Sequence, residues 1–276
     1  MKFLHCGKFR LALDRPLLMG VINITPDSFS DGGNFARTDA AVTHARRLVD
    51  EGADLIDIGG ESTRPGAAAV TLEEERRRVL PVLEALAGCN VPVSVDTQKP
   101  ELMREAVAAG AHMINDVNGF EADGAVAAVA GSECAICIMH KQGSPQTMQG
   151  APAYRDVVGE VRDYLAARIA VAQAAGITQA RIVADPGFGF GKTLAHNLEL
   201  LRGLDRLAPP AIPVLAGLSR KSMIGAITGR DVEGRIFGSV AAALIAVQRG
   251  AAIVRVHDVA ATRDVLAMWQ AVSGKT

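Results

Sequence analysis

Short apolar runs recur along the chain, and segments with the apolar period of amphipathic helices lie between them. Runs of this length that are apolar throughout are typical of buried strands. Eight runs fit strands, at residues 17–23, 55–60, 91–96, 113–117, 135–140, 182–185, 214–219 and 253–257. Eight strands alternating with helices predict one (β/α)8 TIM barrel that forms a single domain over residues 1–276.

Helix boundary residues agree with this frame. A capping box opens a helix at Thr71, and Pro100 stands where a first-turn proline would. A third helix is predicted from Tyr154 to Ala175. Glycines end all three predicted helices, at Gly88, Gly110 and Gly176.

The first 14 residues alternate in polarity around Gly7, which predicts a small β-hairpin closing one end of the domain. A doubly wound sheet is the alternative fold for the remainder of the chain. The barrel is favoured because a single run of eight regular strand–helix units needs no reversal of strand order.

Composition narrows the classes of function. The chain has 276 residues, is 49% hydrophobic and carries a formal net charge of -1. A near-neutral charge argues against nucleic acid as the main partner, and the 4% aromatic content argues against base stacking. No apolar stretch reaches the roughly 18 residues of a membrane helix, and no signal peptide is evident. We therefore expect a soluble, cytoplasmic protein.

The cysteines and histidines do not indicate a transition-metal site. Cys134 and Cys137 form a C-x-x-C pair within a predicted strand, where odd spacing directs the two side chains to opposite faces. Such a pair cannot easily close a disulfide or hold zinc, so buried free thiols are expected. The six histidines show no ligand spacing.

The predicted strands end in polar side chains, and in a barrel the carboxyl ends of all strands gather at one mouth. The ends, in chain order, are Asn23, Glu61, Asp96, Asn115, His140, Asp185, Ser219 and Arg255 to His257. A single polar residue at a barrel rim is commonly a satisfied structural group. Eight such endings together predict a binding site.

The residue types indicate what that site binds. The carboxylates of Asp96 and Asp185 and the amide of Asn115 suit a flat heterocycle with N–H donors. Arg64, Arg255 and His257 suit a phosphate or diphosphate, and Asn23 is placed to help hold a Mg2+ that keeps its waters. The implied ligand is a heterocycle that carries a phosphorylated leaving group.

Three other polar residues are not assigned to catalysis. Lys192 ends a glycine-rich loop that resembles a P-loop, but Pro186 stands where the first glycine is needed, so a solvated or helix-start role is expected. Asp57 lies within an apolar strand and is as readily a structural hydrogen-bond partner as a catalytic acid. His140 is expected to pack beside the site.

Seven ordered motifs carry a family resemblance over nearly the whole chain. They lie at residues 23–33, 57–66, 94–97, 114–117, 185–192, 219–222 and 255–258, and include Asp-Pro-Gly-Phe-Gly-Phe-Gly-Lys and Ser-Arg-Lys-Ser. With these motifs the chain resembles the dihydropteroate synthase family of the folate pathway, which sulfonamides target. Whether this chain is sulfonamide-sensitive is left open by the motifs.

The resemblance implies condensation of 7,8-dihydropterin-6-ylmethyl diphosphate with p-aminobenzoate, giving 7,8-dihydropteroate and diphosphate. It implies that the pterin is held by Asp96, Asn115, Met139, Asp185, Phe190, Lys221 and Arg255. It implies that the diphosphate is bound by Asn23 through Mg2+ and by Thr63, Arg64, Arg255 and His257. It implies that the p-aminobenzoate contacts Phe29, Thr63, Pro65, Phe190, Lys221 and Ser222.

The chemistry assigned to these residues is departure of diphosphate before arylamine attack. Cationic groups and Mg2+ neutralise the leaving group, with Lys221 and Arg255 among the catalytic residues. Asp27 and Asp31 in the first loop are expected to stabilise the cation, while loop closure excludes water. The resemblance also suggests a homodimer.

Two other functions compete with this one. Corrinoid methyl-transfer barrels also bind a pterin, but they do not need the first loop, Arg64 and the Arg255–His257 pair together. A paralogue that binds pterin without condensing it is a non-enzymatic alternative. It is disfavoured because no matched position departs from the family pattern.

Overall fold

The computed structural model describes residues 2–24, 34–62, 69–143, 148, 150 and 152–274. For residues 34–37 it describes the backbone alone. Its framework is an eight-stranded parallel sheet flanked by helices. The eight strands of this sheet are β3 (Leu17–Asn23), β4 (Leu55–Gly59), β5 (Val93–Asp96), β6 (Met113–Asp116), β7 (Ala135–Met139), β8 (Ile182–Asp185), β9 (Leu215–Ala216) and β10 (Ile253–Val256).

Neighbours in the sheet follow the order β8-β7-β6-β5-β4-β3-β10-β9. The two ends of this order approach each other, because Val214 forms a parallel bridge with Ala184 and the Ala184 amide donates to the Pro213 carbonyl at 3.0 Å. The sheet is therefore a nearly closed barrel, and the prediction of a TIM-barrel architecture is confirmed.

Helices on the outside connect the strands. They are α1 (Asn34–Asp50), α2 (Leu72–Ala85), α3 (Pro100–Ala108), α4 (Ala125–Ala130), α5 (Val157–Ala174), α6 (Leu194–Arg202), α7 (Ser222–Thr228), α8 (Ile236–Gln248) and α9 (Val259–Ser273). The Thr71 side chain accepts from the Glu74 amide, as the predicted cap requires. The helix predicted from Tyr154 begins instead at Val157, because Asp156 caps it by accepting from the Gly159 amide.

Strand alternation separates two buried clusters. Outward positions such as Ile56, Ile114 and Ile182 pack against the helices in the larger cluster. Inward positions at the amino-terminal half of the barrel form a second, fully apolar cluster that includes Leu55, Met113, Ala135, Val183 and Ile253. This second cluster fills the barrel interior below the site, as expected for a packed core rather than a pore.

The amino-terminal hairpin completes that inner cluster. Strands β1 (Phe3–Cys6) and β2 (Phe9–Ala12) pair antiparallel around Gly7, whose φ is +56°. Leu4 and Cys6 are fully buried in the inner cluster, and the Gly7 amide donates to the Glu133 carbonyl just before β7. The hairpin thus closes the amino-terminal end of the barrel, as predicted.

Other predictions are confirmed or corrected by the described residues. Cys134 and Cys137 are buried free thiols in different clusters, as strand alternation predicts. The seventh strand is much shorter than the predicted 214–219 and spans only Leu215–Ala216. Gly217 and Leu218 follow without strand pairing, and the chain then turns at Ser219 and Arg220, where the Arg220 φ is +58°. Within the described ranges, no helix is both long and apolar enough to cross a membrane.

Candidate active site

The site lies in the next inward layer above the apolar cluster, toward the carboxyl ends of the strands. Asp57, Asn115, Asp185 and Arg255 each follow an inner-cluster residue by two positions, so alternation directs them into the same interior. The strand register places two pairs of residues at the same level of the barrel. Asp96 is paired with Asn115, and Met139 is paired with Asp185.

Arg255 and two carboxylates form a charged network at the centre of this layer. The Arg255 Nε donates to Asp57 Oδ2 at 2.6 Å, and a terminal nitrogen of Arg255 donates to Asp96 Oδ2 at 3.0 Å. Burial by itself would lower the pKa of Arg255, but the two carboxylates outweigh burial and raise that pKa. The guanidinium is therefore a fixed positive charge in the barrel mouth.

Asp57 on β4 also binds the side-chain amide of Asn115 on β6, across the intervening strand β5. The Asn115 Nδ2 donates to the same Asp57 Oδ2 at 3.0 Å, and Asp57 is fully buried. A single carboxylate oxygen therefore orients both Asn115 and Arg255. Sequence reasoning left Asp57 unassigned, and its two-residue offset from the inner-cluster residue Leu55 is the pattern that could have revealed it.

Asp185 lies at the other side of the layer, beneath the glycine-rich loop. One carboxylate oxygen accepts from the Gly187 amide at 2.7 Å, which ties the acid to the start of the loop. Burial raises the pKa of Asp185, against the opposing effects of this hydrogen bond and of Lys221. Burial also raises the pKa of Asp96, to about 7, although Arg255 acts in the opposite direction.

Lys221 covers the loop from above. Its ammonium donates to the Phe188 carbonyl and lies 4.0 Å from the centroid of the Phe190 ring. Burial lowers the pKa of Lys221 to about 8, with Asp185 opposing this shift. Asp185, Phe190 and Lys221 thus form one wall that offers an acceptor, an aromatic face and a cation.

Lys221 follows a strained turn. At Arg220 the backbone is left-handed, and this residue forms hydrogen bonds with three other residues. Its amide donates to Ser239 Oγ at 2.9 Å, and its carbonyl accepts from Arg235 at 3.0 Å. Its guanidinium donates to both carboxylate oxygens of Asp258, at 2.6 and 3.1 Å. These contacts were not foreseen from the sequence, since they join distant parts of the chain.

The remaining described site residues lie around the rim. The Ser219 hydroxyl is 3.0 Å from His257 Nδ1 and also accepts from the His257 amide at 3.2 Å. Ser222 begins α7 directly after Lys221, and Asn23 is the last residue of β3, which neighbours β10. Met139 is buried at the end of β7.

Several predicted site residues lie outside the described residues. These are Asp27, Phe29 and Asp31 in the first loop, and Thr63, Arg64 and Pro65 in the second. The described residues on either side of the second loop are joined by hydrogen bonds. Glu61 accepts from the Val70 amide at 3.1 Å and from the Lys99 ammonium at 2.6 Å.

The expectation that Lys192 is solvated or begins a helix is wrong. Lys192 is only 3% exposed, and α6 begins at Leu194 with Thr193 as its cap. The ammonium donates to carbonyls of its own loop and contacts the ring of His140, which is itself buried beside the site. A glycine-rich loop folded over its own lysine leaves no signature in local periodicity.

Among the described residues, no group of three or more His, Cys, Asp or Glu side chains could hold a metal ion. Asn23 offers one amide oxygen at the rim, beside the strand that leads to His257. Magnesium is commonly bound by one or two protein oxygens together with substrate phosphates and waters. The donor set therefore fits a Mg2+ that is held mainly by a bound diphosphate.

Comparisons with known proteins show the family to which the chain belongs. The family described as pterin binding enzymes matches residues 19–257. A dihydropteroate synthase of Neisseria meningitidis serogroup C is 54% identical over 272 residues, covering 97% of this chain and 96% of that relative.

Solved structures are similar over nearly their whole length. Xanthomonas albilineans dihydropteroate synthase with 4-aminobenzoic acid is 56% identical, has a TM-score of 0.92 and is covered to 98%, as is this chain. Burkholderia cenocepacia dihydropteroate synthase complexed with 7,8-dihydropteroate is 52% identical with a TM-score of 0.91, and the match covers 99% of this chain and 97% of that one.

Proposed function

The chain belongs to the pterin-binding enzymes, as an enzyme of the dihydropteroate synthase type, and from this premise we propose how its own side chains bind and activate the two substrates. The reaction joins 7,8-dihydropterin-6-ylmethyl diphosphate to p-aminobenzoate. The observation that carries the assignment of roles is the layer in which Asp96, Asn115 and Asp185 face one interior beside Arg255.

The pterin ring binds within this layer. The carboxylates of Asp96 and Asp185 accept hydrogen bonds from ring and amino N–H groups, and Asn115 supplies an amide that can both donate and accept. Met139 and Phe190 supply apolar contacts to the ring faces. The guanidinium of Arg255 stacks on the ring while Asp57 and Asp96 hold its position.

The diphosphate binds above the pterin, at the rim. Arg255 and His257 lie on one continuous segment, and Ser219 orients the His257 ring. Thr63 and Arg64 of the second loop complete this set. Asn23 and the phosphates would hold Mg2+, which would supply positive charge to offset that of the leaving group.

The p-aminobenzoate lies between the loops and the Phe190–Lys221 wall. Phe190, Lys221 and Ser222 form its described side, and Phe29, Thr63 and Pro65 form the side contributed by the two loops. The C–O bond from the pterin methylene to diphosphate breaks first, and its electron pair leaves with diphosphate. The arylamine nitrogen then bonds to that carbon and loses a proton, while Asp27 and Asp31 stabilise the intermediate cation.

The decisive experiment follows diphosphate and dihydropteroate in the same samples, with and without p-aminobenzoate, in the presence of Mg2+. Equal amounts of both products are expected when the amine is present. Slow diphosphate release with capture of the pterin by water is expected when it is absent. Release that strictly requires the amine, and whose rate follows the nucleophilicity of substituted anilines, would instead show direct displacement.

The Mg2+ proposal has its own test. Protein stripped with a chelator should regain turnover on addition of Mg2+, and Asn23→Ala should require a higher Mg2+ concentration for half-maximal rate. Pterin affinity in the absence of diphosphate should be unchanged in this variant, because Asn23 is assigned to the leaving group only. An unchanged Mg2+ requirement would remove Asn23 from the site.

Assembly and location are also part of the proposal. A homodimer is supported by exposed apolar side chains on α7, α8 and α9, namely Ile227, Phe237, Ile245, Met268 and Val272. Phe237, at 85% the most exposed of these side chains, is the centre of the proposed face. A cytoplasmic location is supported by the free thiols of all four cysteines.

A further inference from the structure

Lys192 ends the glycine-rich loop and points back underneath it. Its ammonium donates to the Gly187 carbonyl at 2.9 Å and to the Phe190 carbonyl at 3.0 Å. The same nitrogen lies 2.9 Å from Nδ1 of His140, the residue that follows β7. A single buried side chain thereby joins two points of the loop to the end of another strand.

The partners of Lys192 match the chemistry of an ammonium group. The protonated amine has three protons, and three acceptors lie 2.9 to 3.0 Å from Lys192 Nζ, with the His140 carbonyl farther away at 3.4 Å. Burial lowers the pKa of Lys192 to about 7, with Asp185 opposing this shift. His140 must then be neutral, with its proton on Nε2 and its Nδ1 lone pair facing Lys192. Burial lowers the pKa of His140 to about 3, and the neighbouring Lys192 charge acts in the same direction, which keeps this ring neutral.

The rest of the loop is fixed from outside. Asn197 accepts from the Gly189 amide at 2.7 Å, and Tyr154 donates to the Gly191 carbonyl at 3.0 Å. The loop also lies directly against residues 140–142. A Cβ at Gly187 would stand 1.9 Å from the His140 carbonyl, and one at Gly191 would stand 2.3 Å from the Gln142 carbonyl. Both glycines have positive φ, so only glycine fits there.

We propose that Lys192 is a positioning residue for the synthase reaction, which fastens the loop to His140 so that Asp185 and Phe190 are presented to the substrates in fixed geometry. This inference rests on the proposed function, because Asp185 and Phe190 matter only as ligands of the pterin and the arylamine. Lys192 itself touches neither reacting group.

A merely space-filling role does not account for these contacts. Taking an ammonium out of water costs free energy, and an apolar chain of similar length would fill the same volume without that cost. What an apolar chain cannot do is donate to the Phe190 carbonyl, or to the Gly187 carbonyl in addition to the Phe190 amide that donates to it at 3.1 Å. Their hydrogen bonds to Lys192 set the path of the loop on which Phe190 stands beneath Lys221.

The test compares Lys192→Met with Lys8→Met, the same substitution at an exposed lysine of the amino-terminal hairpin. The affinity for the dihydropterin diphosphate is measured by calorimetry, and kcat/KM for p-aminobenzoate is measured by turnover at a temperature where both variants are folded. We expect Lys192→Met to lose about 10- to 100-fold in kcat/KM, as for a misplaced contact group. Lys8→Met should match the parent protein.

A second variant keeps the test decisive if Lys192→Met does not fold. The amide of Lys192→Gln donates two hydrogen bonds without a charge, so it should recover part of the lost kcat/KM. Where Lys192→Met folds, the 15N resonance of His140 Nδ1 should shift toward that of an unbonded imidazole nitrogen, because methionine offers no proton to it.

The possible failures are distinguishable. A parent protein that makes no dihydropteroate would overturn the proposed function. A parent that does make it, together with Lys192 variants that are less stable but keep kcat/KM and pterin affinity, would overturn the inference alone.

Discussion

Asp57 on β4 and Arg255 on β10 meet over β3, the strand that lies between them, through a 2.6 Å hydrogen bond from Nε to Oδ2. Asp57 is fully buried, and its other oxygen has no hydrogen-bond partner among the described residues. A buried acid placed in this way serves Arg255 and Asn115 together. It explains why the layer holds a carboxylate that is not assigned to the substrate.

Asp57→Asn should therefore weaken catalysis without removing a substrate contact. The amide keeps the shape of the side chain but lacks the charge that holds Arg255, which then retains only Asp96. We expect kcat/KM to fall by about 10- to 100-fold, from misorientation of Arg255 and Asn115. The free energy of unfolding should fall by about 3–5 kcal/mol, since one partner of a buried ion pair is lost.

Turnover and urea unfolding measure the two effects of that substitution. Asp264→Asn is the matched control, because the Asp264 side chain is 75% exposed and its ion pair with Arg263 is long, at 3.7 Å. Full activity in Asp57→Asn would show that Arg255 is held well enough by Asp96 alone.

Pterin affinity should depend on pH through Asp96. Its pKa is raised to about 7, chiefly by burial, so below that pH the free enzyme holds mostly the neutral acid. Only the carboxylate can accept two N–H bonds, so affinity should fall as pH drops through 7, by up to about tenfold per unit. Calorimetric titration across this range measures the step, and Asp96→Asn should abolish it.

The raised pKa of Asp96 also affects the free energy of unfolding. The linkage between proton binding and folding gives the sign of that effect. The folded protein holds the Asp96 proton up to about pH 7, whereas the unfolded chain releases it near 3.9. Between these values the folded state binds more protons, so this group makes the free energy of unfolding decrease as pH rises. Asp96→Asn should lack that contribution, and an identical pH dependence in both proteins would contradict the assignment.

Phe190→Leu should separate the aromatic face from simple apolar contact. Leucine keeps the wall apolar but removes the ring that lies 4.0 Å from the Lys221 ammonium. A cation–π contact of this kind is worth about 0.5–2 kcal/mol, so kcat/KM for p-aminobenzoate should drop by about 2- to 30-fold.

Phe3→Leu controls for the loss of such a contact elsewhere. Arg10 lies 4.1 Å from the Phe3 ring in the hairpin, at the opposite end of the barrel. That variant should lose some stability and keep its kinetic constants. Equal kinetic losses in the two variants would mean that Phe190 acts through stability and not through the substrates.

Phe237→Asp should disrupt the proposed homodimer. The Phe237 side chain is 85% exposed on α8, and Val272 on the adjacent α9 is 83% exposed. A charge at the centre of an apolar interface is costly to bury, so sedimentation equilibrium should show dimers for the parent protein and monomers for the variant. Val171→Asp, on the exposed face of α5, should remain dimeric; a monomeric parent would remove the proposal.

The barrel and much of the site could be predicted because both follow from strand periodicity. Asp96, Asn115 and Asp185 end apolar runs, and parallel strands bring their carboxyl ends to one mouth. Once eight strands were counted, their convergence required no knowledge of distant contacts. The register that places Asp96 beside Asn115 is a direct consequence of that arrangement.

What escaped prediction depends on contacts between distant residues. Lys192 was expected to be solvated because lysine usually is, and only the folded loop shows three acceptors around its ammonium. Likewise, the left-handed backbone at Arg220 is held by Ser239, Arg235 and Asp258, which lie 15 to 38 residues away. The local sequence pattern carries no information about such long-range hydrogen bonds.

The hairpin closes the amino-terminal end of the barrel, which leaves the mouth at the carboxyl ends of the strands as the opening to the site. If the pterin binds in the layer of Asp96, Asn115 and Asp185, as proposed, it lies deeper than the p-aminobenzoate, which is assigned to the Phe190–Lys221 wall. We therefore expect the pterin diphosphate to bind before p-aminobenzoate, because an amine already in place would block its path. Diphosphate and then dihydropteroate would leave through the same opening, so accumulated diphosphate should inhibit binding of the next pterin diphosphate.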